Sequence, residues 1–259
     1  MFNKNIKIAF FDVDWTLLDH NDESIHQSTY ETLDILKNKG VKLCISTSRS
    51  PQEMKNLPSK LLEYMDAIIM GAGTYIKING ELEVKYIEDK LLSKIIKFLE
   101  DNDITYRYCL ESGIGYLNKE DSTIQKRFDR VYYFHPDTKK YEGEKVAMIL
   151  YYCNPDIRLQ IEELAKDTGN ARIIVGGEIY PKNIDKGDAM IDVAKRFGYN
   201  AENIVAVGDG LNDISMIKKA GIGIAMGNGQ NELKEVADFI ADDVKNDGIY
   251  KAFKELEII

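Results

Sequence analysis

Apolar runs alternate with polar breaks along most of the chain. Ile8-Ala9-Phe10-Phe11 is short, continuous and rich in β-branched and aromatic residues, which predicts a strand buried on both faces of a parallel sheet. Ser24 to Lys39 carries Ile25, Leu33 and Leu36 ahead of a Gly40 stop, the spacing of a crossover helix. Val41 to Ile45 and Asp66 to Met70 read as the second and third strands. Between them, Ser50-Pro51-Gln52-Glu53 has the form of a capping box with proline at the first helical position, which places a helix start close behind Thr47. Backbone N–H groups at such a start favour an anion, although a plain capped helix has the same sequence form. Thr74 to Ile78 and Glu81 to Ile87 flank Asn79-Gly80, a strong hairpin signal.

Beyond Glu88 the texture changes. Leu91 to Leu99 predicts a helix, and Tyr106 to Leu110, Ile114 to Leu117 and Val146 to Cys153 predict strands. Asn154-Pro155 opens a helix to Lys166, and Ala171 to Val175 with Glu178 to Tyr180 forms a hairpin. This stretch is too long for a loop and carries its own apolar pattern, so it is expected to be a separate α+β domain. Strand and helix alternation then resumes: helix Gly187 to Phe197, strand Ile204 to Val207, helix Leu211 to Ala220, a short strand and turn over Gly223 to Asn228, an edge strand at Asp238 to Ala241 and a closing helix Gly248 to Leu256. The expected fold is α/β, with a doubly wound, mainly parallel Rossmann-like core sheet built from 1–87 and 183–259 and an inserted α+β cap at 88–182.

Charge enters where strands end. Asp12 and Asp14 follow the first strand, and residues two apart in an extended chain point to one side, so their carboxylates converge beyond the strand's carboxyl edge. A pair of turn-capping aspartates would have the same local sequence. The second acidic loop, Gly208-Asp209-Gly210-Leu211-Asn212-Asp213, also ends a buried strand, and ligands of open α/β sheets bind outside those ends. Thr47 and Ser48 end another strand, and Lys186 opens a helix. Acids, hydroxyls and a lysine make an inventory for phosphate and metal.

In that order, Asp12-Val13-Asp14-Trp15-Thr16-Leu17-Leu18, Thr47, Lys186 and Gly208-Asp209-Gly210-Leu211-Asn212-Asp213 resemble the four motifs of haloacid-dehalogenase (HAD) superfamily phosphatases. The long interval between Asn79-Gly80 and Lys186 is similar to the Cof-like branch, which carries a large α/β (C2-type) cap. The resemblance implies Mg²⁺-dependent hydrolysis of small-molecule phosphate monoesters, sugar or cofactor phosphates, through an aspartyl-phosphate. It implies Asp12 as nucleophile and Asp14 as general acid–base. Mg²⁺ would be held by Asp12, Asp209 and the backbone carbonyl of Asp14, with Asp213 direct or through water. Lys186, Thr47 and the N–H of Ser48 would bind the phosphoryl group; Asn212 would contact phosphate or order its loop. A surface lysine at 186, strand-end hydroxyls at 47 and 48 and a helix-capping Asp213 are the plainer readings of the same residues.

Three departures from the common pattern stand out: Trp15 in place of glycine after Asp14, Ser48 in place of glycine beside Thr47, and no asparagine around Gly71-Ala72-Gly73. None removes an acid. A phosphosugar mutase of similar architecture is the alternative enzyme, and a catalytically weak phospho-ligand-binding or signalling module the alternative of another class.

Composition narrows the field. At 259 residues and 44% hydrophobic the chain can bury a substantial core. A net charge of -9 argues against tracking a nucleic-acid backbone. There is no run near the roughly 20 apolar residues of a membrane span, and Met1-Phe2-Asn3-Lys4 lacks a signal peptide's apolar segment, so a cytoplasmic protein is expected. No obligate protein partner is evident. Cys44, Cys109 and Cys153 sit inside apolar strand patterns and read as buried thiols. Zinc is disfavoured by scattered histidines, and His20, His26 and His135 read as surface or structural.

Overall fold

The structure is a computed structural model that describes residues 5–165, 170–174 and 176–259. In chain order the strands are β1 (Ile8–Phe11), β2 (Lys42–Ser46), β3 (Ala67–Met70), β4 (Tyr75–Ile78), β5 (Glu81–Val84), β6 (Thr105–Cys109), β7 (Gly115–Leu117), β8 (Met148–Tyr152), β9 (Asn170–Ile174), β10 (Gly176–Tyr180), β11 (Ile204–Gly208), β12 (Ile222–Ala225) and β13 (Phe239–Ile240). The α-helices are α1 (Gln27–Asn38), α2 (Ser59–Tyr64), α3 (Asp89–Asp101), α4 (Ser122–Tyr132), α5 (Pro155–Ala165), α6 (Lys186–Arg196), α7 (Ile214–Lys219), α8 (Asn231–Lys234) and α9 (Gly248–Glu255). Lys166 and Val175, the expected ends of a helix and a strand, lie outside the described residues.

Eight strands form one sheet in the order β13-β12-β11-β1-β2-β3-β4-β5. From β13 to β3 every pairing is parallel, and β4 turns back antiparallel on β3. The hairpin works because Asn79 and Gly80 both take positive φ, 52° and 86°, as its tight turn requires. Alternate residues of β1 serve opposite faces of the sheet. Ile8 and Phe10 join a cluster with Met190 and Val193 of α6 and Met216 and Ile217 of α7. Phe11 points the other way and stacks on Phe253 of α9, with ring centroids 5.9 Å apart. Helices on both faces make the core doubly wound.

The second sheet has five strands in the order β7-β6-β8-β10-β9, all antiparallel. Its apolar face carries Tyr106, Tyr108, Ile149, Tyr151 and Ile179, and α3 covers it with Leu91, Leu92, Ile95, Ile96 and Leu99, spaced to lie on one side of a helix.

The chain divides into two compact units, Met1–Ser48, Leu57–Leu82 and Asp185–Ile259, and Arg49–Asn56 with Glu83–Ile184. The expected borders assigned 49–56 to the core; the structure groups this segment with the second unit. The reason is a buried polar clamp. Arg107, on the face of β6 opposite the apolar cluster, is fully buried; its Nη1 donates to Glu53 Oε1 at 2.9 Å and its Nη2 to Gln52 Oε1 at 2.7 Å. Its guanidinium also lies over the Phe128 ring of α4, 4.9 Å from the centroid.

The capping-box reading of Ser50 to Glu53 needs correction. Glu53 Oε2 does accept the Ser50 N–H at 2.6 Å, but the hydroxyl of Ser50 has no hydrogen-bond partner, and only a 3₁₀ turn, Glu53–Asn56, follows. The α-helix begins at Ser59, so no helix start stands directly behind Thr47. Leu57-Pro58 delays it, because proline disfavours the helical conformation in the residue before it. Helix α4 was not anticipated; its signal is Asp121, whose carboxylate caps the N–H groups of Thr123 and Ile124. No helix among the described residues is long and apolar enough to cross a membrane.

Removing one partner of a buried ion pair strands the other charge. Glu53→Ala is therefore expected to lower stability by about 3–5 kcal/mol in urea denaturation. A loss under about 1 kcal/mol, the range of an exposed pair, would show that Arg107 does not depend on Glu53.

Candidate active site

Every candidate residue from the sequence lies within the first unit. β1 lies between β11 and β2, and the Asp12 N–H extends the ladder by donating to Val207 O at 2.9 Å. Asp12 therefore leaves β1 beside the start of the loop that carries Asp209. Lys186, the first residue of α6, is fully buried. Its Nζ donates at 2.7 Å to Asp12 Oδ1 and at 2.7 Å to Asp213 Oδ1. The surface-lysine reading is thereby excluded.

Asp213 holds more than the lysine. Its Oδ2 accepts the N–H groups of Asp209 and Gly210, each at 3.0 Å, so this carboxylate receives three donors and ties the acidic loop to the lysine. Gly208 makes room for it: a Cβ there would sit 2.5 Å from the Asp213 carboxyl. Gly187 performs the same service for α6, where a Cβ would sit 2.5 Å from the Ser215 carbonyl oxygen. Lys186 can reach the acids only because the two helices approach this closely.

Oxygens of Asp12, Asp209 and Asp213 lie within 4.8 Å of one another, a hard-oxygen donor set that fits a divalent cation. The electrostatics agree. Burial, with repulsion from Asp213 and Asp14, pushes Asp12 up to about 7 against the pull of Lys186. Burial, then Asp12 and Asp213, pushes Asp209 up to about 8. Burial alone would lower Lys186, but Asp12 and Asp213 outweigh it and hold the ammonium above the ordinary lysine value. Three carboxylates against one ammonium leave the cluster short of positive charge.

The Asp14 carboxylate lies outside that cluster. Val13 O accepts the N–H groups of Thr16, Leu17 and Leu18, which wraps the chain into a tight turn, and Trp15 inside it takes φ 59°. The turn brings His20 back to Asp14, with Nε2 2.7 Å from Oδ1, and the bond to Asp14 holds His20 above its usual pKa. Of the two sequence readings of His20, surface or structural, the structure favours the second. The histidine's only sequence signal is proximity to the motif, since the turn that joins the two is made by backbone hydrogen bonds. His26 lies 3.3 Å from Asp19 Oδ2, and His135 pairs with Asp129 at an exposed site.

Thr47 is buried, its N–H bonded to Ile69 O and its carbonyl to the Ala72 N–H. Asn212 Nδ2 donates to Ser48 Oγ at 2.9 Å, so the second and fourth motifs touch. Two supports escaped the sequence reading: Thr16, whose hydroxyl donates to Asp209 Oδ1 at 3.3 Å, and Asn228, whose Nδ2 donates to Trp15 O at 2.8 Å.

A parallel sheet with acids at the carboxyl ends of adjacent strands and a buried lysine between them defines a haloacid dehalogenase-like hydrolase. The chain belongs to that family, with a match spanning residues 9–253, and is a phosphatase of its Cof-like branch. It is 31% identical over 257 residues to the 5-amino-6-(5-phospho-D-ribitylamino)uracil phosphatase YcsE of Bacillus subtilis, covering 96% of this chain and 95% of that one. Among solved structures it resembles a HAD subclass IIB sugar phosphatase, with TM-score 0.90, 26% identity and coverage of 98% of this chain and 100% of the other. A HAD-superfamily phosphatase from Bacteroides thetaiotaomicron gives TM-score 0.87 at 25% identity, covering 99% and 97%.

In EDTA, Asp12 and Asp209 hold protons to about pH 7 and 8 in the fold, but only to about 4 in the unfolded chain. Their stabilising contribution is complete below that lower value and is lost as pH rises through the upper two. The metal-free melting temperature should therefore fall between about pH 5 and 8, Asp209→Asn should flatten the fall, and added Mg²⁺ should raise Tm more at pH 8 than at pH 6. A steep fall that persists in Asp209→Asn would contradict this assignment.

Proposed function

We propose that the protein hydrolyses small-molecule phosphate monoesters, sugar or cofactor phosphates, through an aspartyl-phosphate on Asp12, with Mg²⁺ as cofactor. The observation that carries this reading is the buried ammonium of Lys186, shared by Asp12 and Asp213 at 2.7 Å each. A phosphate monoester repels nucleophiles with its own negative oxygens, so a site must offset that charge before a carboxylate can approach. Lys186 favours the ionised form of Asp12 and pairs with phosphoryl oxygens. Thr47, the N–H of Ser48 and Asn212 hydrogen-bond the phosphoryl group.

Asp12 and Asp209, with the Asp14 backbone carbonyl, would hold Mg²⁺. Asp213, already receiving three donors, steadies the loop behind them. When bound, the ion supplies positive charge to the phosphoryl oxygens. Asp12 forms the bond to phosphorus while Asp14 gives a proton to the leaving oxygen. Asp14 then takes a proton from the water that releases phosphate from Asp12, so one hard displacement becomes two easier ones. The relatives, a sugar phosphatase and a 5-amino-6-(5-phospho-D-ribitylamino)uracil phosphatase, support a small phosphorylated metabolite as substrate. The inserted cap, 88–182, would select it. We place the enzyme in the cytoplasm, acting without nucleic acid, membrane or obligate protein partner.

A screen of phosphate release across sugar, nucleotide and cofactor phosphates should show turnover that needs Mg²⁺. Asp12→Asn should lower kcat by at least about 10³-fold, since no bond to phosphorus can form without the carboxylate. Mg²⁺-dependent release that survives Asp12→Asn unchanged would reject Asp12 as nucleophile.

A further inference from the structure

We propose that His20 positions the Asp14 carboxylate for proton exchange with the leaving group, an inference that rests on the phosphatase reading above. Asp14 is about one-third exposed, with a side-chain accessibility of 34%, and such a carboxylate samples several rotamers unless something holds it. A general acid must stand within hydrogen-bond reach of the oxygen it protonates, and misplacement by about 1 Å can cost 10²-fold in rate.

His20 supplies one such restraint. Its ring is held at both nitrogens and on one side: Nε2 against Asp14 Oδ1 at 2.7 Å, Nδ1 against Glu23 Oε1 at 3.2 Å, and the Trp15 indole with ring centroids 5.1 Å away. The histidine side chain is only 15% exposed. The β-bridge between Asp14 and Leu18 and the paired bridge between Asp19 and Ser24 fix the backbone that carries it.

With Nε2–H donating to Oδ1, the transferable proton belongs on Oδ2. In the first step an Asp12 carboxylate oxygen bonds to phosphorus, the P–O bond to the leaving group breaks with its electron pair going to the leaving oxygen, and the Oδ2 proton moves to that oxygen. In the second, water oxygen bonds to phosphorus, one water proton goes to Asp14 Oδ2, and the Asp12–phosphorus bond breaks with its pair returning to Asp12. His20 is a positioning residue in both.

The leaving group separates this role from a merely structural one. p-Nitrophenolate departs without protonation, whereas an alkoxide needs the acid, and kcat/KM reports the steps up to its departure. The measurement is kcat/KM with Mg²⁺ for p-nitrophenyl phosphate and for the best-used of glucose 6-phosphate, ribose 5-phosphate and glycerol 3-phosphate, in wild type, His20→Ala and His20→Gln. In His20→Ala the alkyl-to-aryl ratio of kcat/KM should fall at least about tenfold. His20→Gln, which keeps an N–H donor, should recover part of it. Equal losses on both substrate types, or an unchanged ratio, would overturn the inference. Should His20→Ala fail to fold, Glu23→Gln loosens only the exposed end of the ring and should lower the same ratio by a smaller factor; no fall there would overturn it too. A wild type that releases phosphate from none of these four compounds and from none of the sugar, nucleotide and cofactor phosphates of the wider screen overturns the phosphatase reading, and this inference with it.

Discussion

The buried ammonium of Lys186 is the constraint on which the site depends. An ammonium carried into the interior loses its hydration and persists there only with excellent partners. It has two, Asp12 and Asp213, and Asp213 in turn gathers the N–H groups of Asp209 and Gly210. One cation thereby fixes the end of β1, the loop after β11 and the first turn of α6. Glycines at 187 and 208 are what allow those three pieces to meet, because a side chain at either would occupy the space of a carbonyl or a carboxyl group. Burial, together with repulsion among the neighbouring acids, pushes Asp12 and Asp209 up to about 7 and 8 against the pull of Lys186. A group of acids held so close by the fold carries a standing demand for another cation.

The strands were legible because a strand buried on both faces must be apolar throughout, and Ile8–Phe11 and Ile204–Gly208 cannot be read otherwise. Asp12 and Lys186 were legible as motif residues, and the order of the motifs placed the lysine near Asp12; the direct bond itself, across 174 positions of sequence, is encoded by no local pattern. The elements that sequence reading lost are those with weak periodicity or side-chain-dependent starts. Helix α2 is a single short run after Pro58, and α4 announces itself only through the Asp121 cap. The Ser50 to Glu53 signal misled because half of it is real: Glu53 does cap Ser50, but its other oxygen is taken by Arg107 from β6, and the chain turns once and stops. Tertiary pairing outweighed local propensity.

Arg107 illustrates how polar groups specify the second unit. Its Nε has no hydrogen-bond partner, while its two terminal nitrogens are matched to Gln52 and Glu53 and its plane lies over Phe128. An apolar residue of similar size would fill the space without a desolvation cost, yet it would not select which segment packs against β6. The guanidinium selects Arg49–Asn56, the stretch that follows the strand-end pair Thr47 and Ser48.

Trp15 shows strain and function sharing one residue. A left-handed φ of 59° costs a residue with a Cβ about 1 kcal/mol or more relative to glycine. The fold holds it there by bonding its N–H to Leu18 O, its carbonyl to Asn228 Nδ2 and its ring to His20. Glycine would adopt the turn at less cost, but it would leave the imidazole without a wall on that side. The indole remains 39% exposed, so the residue whose ring packs against His20 also presents apolar surface next to Asp14 in the chain. The turn, the histidine and the carboxylate therefore form one mechanical unit, in which backbone strain at Trp15 is exchanged for a fixed ring against Asp14.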